Sequence, residues 1–239
     1  MKDVKTERMR LDRFFSMQNI ASRKDALRLI RKGAVKLNGS TVKNPGEYIA
    51  EDDVVTFGGK DITYKKHLYI MMNKPAGVLS ASRDPKGQTV VDLLPDKFTR
   101  RGLFPAGRLD KDTTGLMIIT DDGKYAHDML SPKKHVYKIY RALLEHEIQK
   151  EDIAAFLRGI EYKGVSYAPA FLSKDAGCCA SVRIREGKYH QVKRMFEACG
   201  NHVEALTRLK IGGLALDSSL EQGEARLMDE EEAMLAFRQ

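Results

Sequence analysis

The chain has 239 residues, of which 42% are hydrophobic and 31% charged, a composition typical of a globular protein with one good core and a smaller second domain. No apolar run approaches the roughly 20 residues that cross a bilayer, and the N-terminus lacks the apolar segment of a secretory signal, so we expect no membrane association and a cytoplasmic location. Cys178 and Cys179 are adjacent and Cys199 is distant, a spacing that predicts neither a disulfide framework nor a metal site.

The net charge of +8 is concentrated at the N-terminus. Residues 1–44 contain 12 Lys and Arg against 4 Asp and Glu, whereas the rest of the chain contains 29 of each and balances to zero. A solvated helix face would explain a local run of charges, but it does not explain an excess that is confined to one end of the chain. The asymmetry predicts a polyanion-binding module joined to a near-neutral body.

The N-terminal module is predicted to contain two short basic helices and a small sheet. The elements in chain order are helices at 8–18 and 22–32 and strands at 35–37, 41–42 and 54–57. Ser22 is a good N-cap for the second helix, and Gly33 stands at its expected end. The Asn38-Gly39 pair is a turn signal that predicts a hairpin between the first two strands.

Residues 59–65 are predicted to form a linker, because they begin with glycine and charged residues and carry little to pack. The predicted domains are therefore 1–58 and 66–239. Within the second domain we expect strands at 69–72, 116–119, 136–144, 179–185 and 206–211, helices at 90–94, 124–130, 149–158 and 190–198, and a final segment at 224–237. Strands outnumber helices without a regular βαβ alternation. The pattern favours an α+β fold: a small α/β module followed by a mixed, largely antiparallel sheet with flanking helices.

Residues 107–116, which read GRLDKDTTGL, are the strongest candidate for a functional segment. They lie between a turn-prone run and an apolar run, so Asp110 is expected on a short loop just before a buried strand. An isolated Asp would be better interpreted as part of a solvated turn, but Arg108 and the basic and His-containing segments further along favour chemistry. Asp110 and Asp112 also form a D-x-D pattern, yet no third ligand is evident, and we therefore expect no metal.

This segment resembles the signature of the RNA pseudouridine synthases, in the branch that modifies a uridine of small-subunit ribosomal RNA. The likeness covers essentially the whole chain and continues through residues 73–77, 138–140 and 186–196. The N-terminal module resembles the S4 RNA-binding domain, on the basis of residues 10–13 and 33–39.

The resemblance implies three catalytic residues. Asp110 is the residue that attacks C1′ or removes a sugar proton, and the sequence leaves both routes open. Tyr140 matches the active-site Tyr of the family, whose ring would stack on the uracil and whose hydroxyl would handle the C5 proton. Lys193 is the implied cation that keeps Asp110 ionised, with Arg194 as the alternative.

Further residues are expected to contact RNA. Arg108 is suited to fill the gap left by a flipped nucleotide or to bind its phosphate, with a structural salt bridge as the alternative. His190 is expected to be an RNA contact or a satisfied polar residue rather than a general base. The full set of expected RNA-binding residues is Arg10, Arg13, Arg23, Lys24, Arg28, Lys74, Arg108, His190, Gln191 and Arg194.

The resemblance predicts a monomer that forms pseudouridine in small-subunit (16S) ribosomal RNA, either free or in an assembling 30S particle. The reaction only rearranges bonds within uridine, so we expect no cofactor. A uridine of large-subunit (23S) ribosomal RNA is the alternative substrate. A non-catalytic ribosome-assembly factor is a hypothesis of another class, but it has no reason to retain Asp110, Tyr140 and Lys193 together. An RNA methyltransferase would need a glycine-rich loop after a strand, and none is present.

Overall fold

The computed structural model describes residues 8–50, 53–98, 102–131, 134 and 136–238. Residues 1–7, which hold part of the charged N-terminal segment, lie outside the described residues. The described residues separate into two compact units, one within Met1–Leu68 and Pro95–Leu103 and the other within Tyr69–Leu94 and Phe104–Gln239. Each unit has its own hydrophobic core. In the part of the chain that is described, no helix combines the length and apolar character that crossing a bilayer requires.

The first unit contains the predicted helices and hairpin. Its elements are β1 (Met9–Arg10), α1 (Leu11–Met17), α2 (Arg23–Arg31), β2 (Val35–Leu37), β3 (Ser40–Val42), β4 (Tyr48–Ile49), β5 (Val54–Phe57) and β6 (Lys60–Thr63). The Ser22 hydroxyl accepts a hydrogen bond from the Asp25 backbone N–H, which confirms the predicted N-cap of α2. Asn38 and Gly39 both have positive φ, as the two-residue turn between β2 and β3 requires.

The linker predicted at 59–65 is wrong. Strand β6 pairs antiparallel with β5 over its whole length, in a four-stranded sheet of order β3-β2-β5-β6. Tyr64 is 3% exposed and packs against Phe14 in the core of this unit, with 6.0 Å between ring centroids. The reason is the conformation of Gly58 and Gly59, which both have positive φ and form a tight hairpin turn instead of a flexible connection.

The second unit supplies the remaining elements. They are β7 (Tyr69–Lys74), β8 (Phe104–Pro105), β9 (Thr114–Thr120), α3 (Gly123–Leu130), β10 (Lys138–Leu144), α4 (Lys150–Arg158), β11 (Ile160–Tyr162), β12 (Val165–Tyr167), β13 (Phe171–Lys174), β14 (Cys179–Ile184), α5 (Gln191–Ala198), β15 (Val203–Ile211), β16 (Leu214–Ala215), β17 (Ala225–Met228) and α6 (Glu230–Met234). The helix predicted at 90–94 is wrong, because these residues form turns that are closed by hydrogen bonds from Thr89 to the Asp92 carboxylate.

A mixed sheet forms the centre of the second unit. Its nine strands among the described residues include the order β13-β14-β10-β15-β9-β7-β17, with β8 paired to β9 and β16 paired to β15. Strands β9 and β15 are parallel, and every other pairing between the named strands is antiparallel. The α+β class and the mixed, largely antiparallel sheet are therefore confirmed.

The parallel contact between β9 and β15 depends on Gly115. This residue has φ of +100°, and a Cβ atom added to it would lie 2.3 Å from the backbone oxygen of Arg208 and 2.8 Å from its backbone nitrogen. Thr114 and Thr207 pair directly at this contact, where their hydroxyl oxygens are 2.8 Å apart. Only glycine combines this φ with so close an approach of the two backbones.

We therefore expect Gly115→Ala to lower the free energy of unfolding by about 3 kcal/mol or more, since the new methyl group meets backbone atoms that cannot move aside. Urea denaturation measures the change. The matched control is Gly177→Ala, where φ is also positive, at +58°, but no atom lies within 4 Å of the added Cβ. Equal losses in the two variants would contradict a role for the close approach.

Candidate active site

Asp110 lies on the loop that connects β8 to β9, and its neighbours hold that loop from several sides. The Leu109 backbone N–H donates to the Ser80 hydroxyl at 3.0 Å, and the same hydroxyl donates to the Leu109 carbonyl at 2.7 Å. The Thr113 N–H donates to the Asp110 carbonyl at 3.1 Å and closes a turn. The loop is therefore a fixed structure that starts directly before the buried strand β9, as the sequence predicts.

Lys74 is buried against this loop and binds its backbone. Its side chain is therefore not exposed to RNA, contrary to the sequence-based expectation. Its side chain is fully buried, and its ammonium donates to the carbonyls of Pro75, Asp110, Lys111 and Thr113 at 2.9 to 3.2 Å. Burial lowers the pKa of Lys74 to about 8, while the carboxylates of Asp112 and Asp110 act in the opposite direction. The buried cation therefore binds the backbone of the loop that carries Asp110.

A pocket brings together five of the residues predicted to form the site. Arg108 and Asp110 come from the loop before β9, Tyr140 from β10, and His190 and Gln191 from the start of α5. These residues are distant in sequence. The antiparallel pairing of β10 with β14 and β15 and the parallel pairing of β15 with β9 bring them close. The pocket combines a carboxylate, an aromatic ring and a guanidinium, a set that suits a charged ligand with a planar ring.

Tyr140 forms part of the pocket wall. It is 8% exposed, and its neighbours across the sheet are Val182 on β14 and Arg208 on β15. Ile184 and Leu206 line the same pocket. The ring of Tyr140 is consequently held among packed side chains with one surface towards the cavity.

Asp110 faces His190, whereas Lys193 binds Asp112. The His190 Nε2 atom lies 3.5 Å from Asp110 Oδ1, and the Lys193 ammonium donates to Asp112 Oδ2 at 2.6 Å. The hydrogen bond from Lys193 lowers the pKa of the Asp112 carboxyl. The expectation that Lys193 pairs with Asp110 is therefore corrected, because the Lys193 ammonium lies beside Asp112, and the group beside Asp110 is His190, which directly precedes α5.

Two other residues of this segment have different partners from those predicted. Gln191 is 3% exposed, and its amide accepts from the Lys188 N–H and donates to Glu186 at 3.0 Å, so it stabilises the loop before α5, and its contact with RNA stays a prediction. The Arg194 guanidinium lies over the Tyr189 ring, 5.0 Å from its centroid, and not beside Asp110.

Arg108 is exposed at the pocket and forms no ion pair with any residue that the structure describes. Arg108 therefore does not form, with any described residue, the structural salt bridge that was its alternative role. On the first unit, the side chains of Arg10, Arg13, Arg23, Lys24 and Arg28 are all exposed. Asp12, which is 1% exposed, accepts from Arg10 at 3.0 Å and from Arg23 at 3.4 Å, and these contacts orient the two guanidiniums.

Sequence reasoning assigned no role to Asp112, Ser80 or Tyr189. The sequence signal for Asp112 is the D-x-D pattern, and the second carboxylate of that pattern binds the Lys193 ammonium. Within the described residues, no three His, Cys, Asp or Glu side chains lie close enough together to hold a metal ion. Tyr189 is 64% exposed and stacks on His190, with 3.8 Å between centroids. His190 itself has a positive φ of 51°, which is uncommon for a non-glycine residue, although His adopts it more often than most. No pattern in the sequence points to Ser80.

Two family models match different parts of this chain. Residues 68–198 match the family model described as RNA pseudouridylate synthase, and residues 9–55 match that of the S4 domain. The chain belongs to the RNA pseudouridine synthase family, and it is an RNA pseudouridine synthase with an N-terminal S4 domain.

Relatives match along nearly their whole length. An uncharacterized RNA pseudouridine synthase of Bacillus subtilis, YtzG, is 44% identical over 95% of this chain and 98% of its own. The ribosomal small subunit pseudouridine synthase A of Vibrio cholerae is 42% identical over 94% of this chain and 97% of its own. A crystal structure of a pseudouridylate synthase covers 95% of this chain and 99% of its own at 37% identity, with a TM-score of 0.67.

The buried contacts of Lys74 lead to a prediction for Lys74→Met. We expect the free energy of unfolding to fall by about 3 kcal/mol or more, because several buried carbonyls are left without a donor. We also expect pseudouridine formation to fall at least tenfold, because the loop that carries Asp110 is no longer held. Urea denaturation and release of tritium from C5 of labelled uridine measure the two effects. Lys111→Met, an exposed change in the same loop, should alter neither quantity; comparable losses there would contradict the role of Lys74.

Proposed function

We propose that this protein isomerises a specific uridine of small-subunit ribosomal RNA to pseudouridine, with Asp110 as the catalytic residue. The observation that carries the proposal is that Asp110 and Tyr140, from separate parts of the chain, line one pocket. The small-subunit substrate is supported by several relatives, from Vibrio cholerae and Escherichia coli among others, that are named ribosomal small subunit pseudouridine synthase A.

The reaction breaks the N1–C1′ bond of uridine and forms a C5–C1′ bond, so that the C5 proton is lost and N1 gains one. Nothing is added or removed overall. Asp110 either attacks C1′ and holds the sugar as an ester while the uracil turns, or removes a sugar proton to release the base. In both routes the carboxylate must be ionised and directed at the ribose, and the hydrogen bonds that fix the 108–113 loop support this orientation.

Tyr140 is proposed to hold the detached uracil and to take part in moving the C5 proton. Its packed position in the pocket wall keeps the ring from rotating away, which suits a stacking surface. The hydroxyl of a tyrosine at that place can pass a proton between C5 and solvent.

Cationic groups around the pocket are proposed to hold the polyanionic substrate. Arg108 is exposed and unpaired with any described carboxylate, so its guanidinium is available to a phosphate or to the space vacated by the flipped nucleotide. His190 adds a second group beside Asp110, and it forms an ion pair with that carboxylate when its imidazole is protonated. Lys193 acts through Asp112, and together they fix the end of the loop.

Mapping pseudouridines in ribosomal RNA from cells with and without this protein tests the substrate. We expect a single small-subunit site to disappear in its absence and to return when the wild-type protein is supplied. Loss of a large-subunit site instead would overturn the choice of substrate while leaving the isomerase activity intact.

Asp110→Asn tests the assignment of the catalytic residue. The change keeps the size of the side chain but removes its charge, its nucleophile and its base. We expect stability to change by about 0.5 kcal/mol or less, RNA affinity to stay close to that of the wild type, and pseudouridine formation to fall below detection. Denaturation, filter binding and tritium release measure the three quantities.

The control for this variant is Asp128→Asn, which removes a carboxylate that pairs with Lys124 on the surface of α3. It should keep full activity. Asp112→Asn is not a neutral control, because Asp112 holds Lys193; we expect it to reduce activity only partly. Full activity of Asp110→Asn would refute the catalytic assignment, and equal loss in Asp110→Asn and Asp112→Asn would indicate that loop shape, not the reacting carboxylate, is limiting.

A further inference from the structure

One face of the sheet formed by β13, β14, β10 and β15 is partly exposed, on the side of the sheet where β13 is the edge strand. Residues of these strands alternate, so that Tyr140, Leu172 and Val182 are buried while their sequence neighbours on the opposite face are not. We call this the outer face and define it by Tyr137, Ile139, Arg141, Phe171, Arg183, Arg185 and Lys210. Phe171, the first residue of the edge strand β13, is 48% exposed, a large exposed fraction for an aromatic side chain.

Aromatic and guanidinium groups alternate across the outer face. The Arg183 guanidinium carbon lies 4.2 Å from the ring centroid of Phe171 and 4.7 Å from that of Tyr137. The Arg185 guanidinium carbon lies 4.8 Å from the same Tyr137 centroid, and its Nε donates to the Tyr137 hydroxyl at 2.6 Å. Strand pairing continues the row, since Arg183 is opposite both Phe171 and Ile139, and Ile139 is opposite Lys210.

The cations of this face lack carboxylate partners. Among the described residues, no Asp or Glu forms an ion pair with Arg141, Arg183, Arg185 or Lys210, and Arg183 Nε is buried with no hydrogen-bond partner. Two guanidiniums against one tyrosine ring repel each other, and a bound anion would relieve that repulsion. Glu145, Asp175 and Glu204 lie at the opposite ends of these strands. Glu186 directly follows Arg185, but its carboxylate accepts from the Ala168 N–H and the Gln191 amide and pairs with Lys188.

The outer face and the pocket meet at the end of β14. Ile184 lines the pocket, whereas Arg183 and Arg185, on either side of it, point to the other face of the sheet. The loop that follows contributes Gly187 and Lys188 to the pocket. A nucleic acid chain with one nucleotide in the pocket therefore needs only to pass this loop to reach the outer face.

We propose that the outer face binds single-stranded RNA next to the modified nucleotide, with an unpaired base stacked on Phe171 and phosphates bound by Arg183, Arg185 and Lys210. Aromatic rings interleaved with unpaired cations are the combination that single-strand-binding surfaces use, because every base has a flat face and every nucleotide a phosphate. The inference rests on the RNA synthase function and adds to the pocket and the S4 domain a third contact surface, one that no family match assigns.

Binding of an oligouridylate of about 12 nucleotides, a length that such surfaces cover, tests the proposal in the full-length protein. We expect Phe171→Ala to weaken binding about tenfold, because the base no longer has a ring to stack on. In Arg183→Met/Arg185→Met we expect weaker binding and a smaller slope of log K against log salt, by about 0.7 for each phosphate that the variant no longer neutralises.

Two changes on the same sheet serve as controls. Leu143→Ala removes an exposed apolar side chain, 41% exposed, near the carboxylate end of β10, and Lys174→Met removes a β13 cation that is already paired with Glu147. Both should bind the oligouridylate like the wild type. The proposal is overturned if the outer-face variants match these controls in affinity and salt slope. Circular dichroism and urea denaturation check that the variants are folded. If an outer-face variant is unfolded, the conservative variants Phe171→Tyr and Arg183→Lys/Arg185→Lys replace it, and the proposal is overturned if these folded variants bind the oligouridylate no better than the unfolded one.

Activity on ribosomal RNA separates this inference from the proposed function. If the wild type forms no pseudouridine in small-subunit RNA, the proposed substrate is wrong. Binding of the oligouridylate by the outer-face variants still tests the outer face in that case. If the outer-face variants keep wild-type affinity but the enzyme is active, the proposed function stands and the outer face is refuted as an RNA surface.

Discussion

The arrangement of the active site depends on a charge that never reaches solvent. The ammonium of Lys74, at the end of β7, binds the carbonyls of the loop between Asp110 and Thr113. Burying a cation is costly unless it is well solvated by protein groups, and here the solvating groups are the peptide bonds of the loop itself. The orientation of Asp110 is consequently set by the backbone, and among the described residues its carboxylate has one ion-pair partner, His190 at 3.5 Å.

The two aspartates of the loop, Asp110 and Asp112, contact different basic residues. Lys193 binds Asp112 at 2.6 Å, on the exposed side of the loop, while Asp110 faces the pocket. This division explains how a short segment can carry two carboxylates of unlike roles. One is fixed by a lysine and helps hold α5 to the loop, whereas the other remains available to a substrate.

Much of the fold was predictable because it follows local rules. The Ser22 cap, the Asn38-Gly39 turn and the alternation of Ala180, Val182 and Ile184 each depend on neighbouring residues, and each appears as expected. The wrong predictions concern segments whose conformation depends on contacts with residues distant in the chain. Gly58 and Gly59 are equally compatible with a linker and a hairpin turn, and only the pairing of β6 with β5 decides between them.

In the candidate site, too, local motifs were predictable and contacts between distant segments were not. The pocket residues Asp110 and Tyr140 stand in recognisable motifs, but the partner of Lys193 depends on a helix orientation that no motif encodes. Lys74 resembles a solvent-exposed RNA contact in sequence, since a lysine side chain is rarely fully buried, and its role emerges only with the carbonyls that surround it.

The parallel contact at Gly115 has a consequence for how the molecule assembles. Antiparallel neighbours such as β7 and β9 join segments that are moderately close along the chain, whereas β9 and β15 are separated along the chain by α3, β10, α4, β11 to β14 and α5. Long-range contacts of this kind carry a larger loop-closure entropy than local ones, and folds that depend on them form more slowly. Asp110 stands at the start of β9, and Tyr140 pairs with β15. The two sides of the pocket that holds Asp110 and Tyr140 are therefore joined by long-range strand pairing, and we expect a chain in which β9 and β15 have not yet paired to lack the assembled pocket.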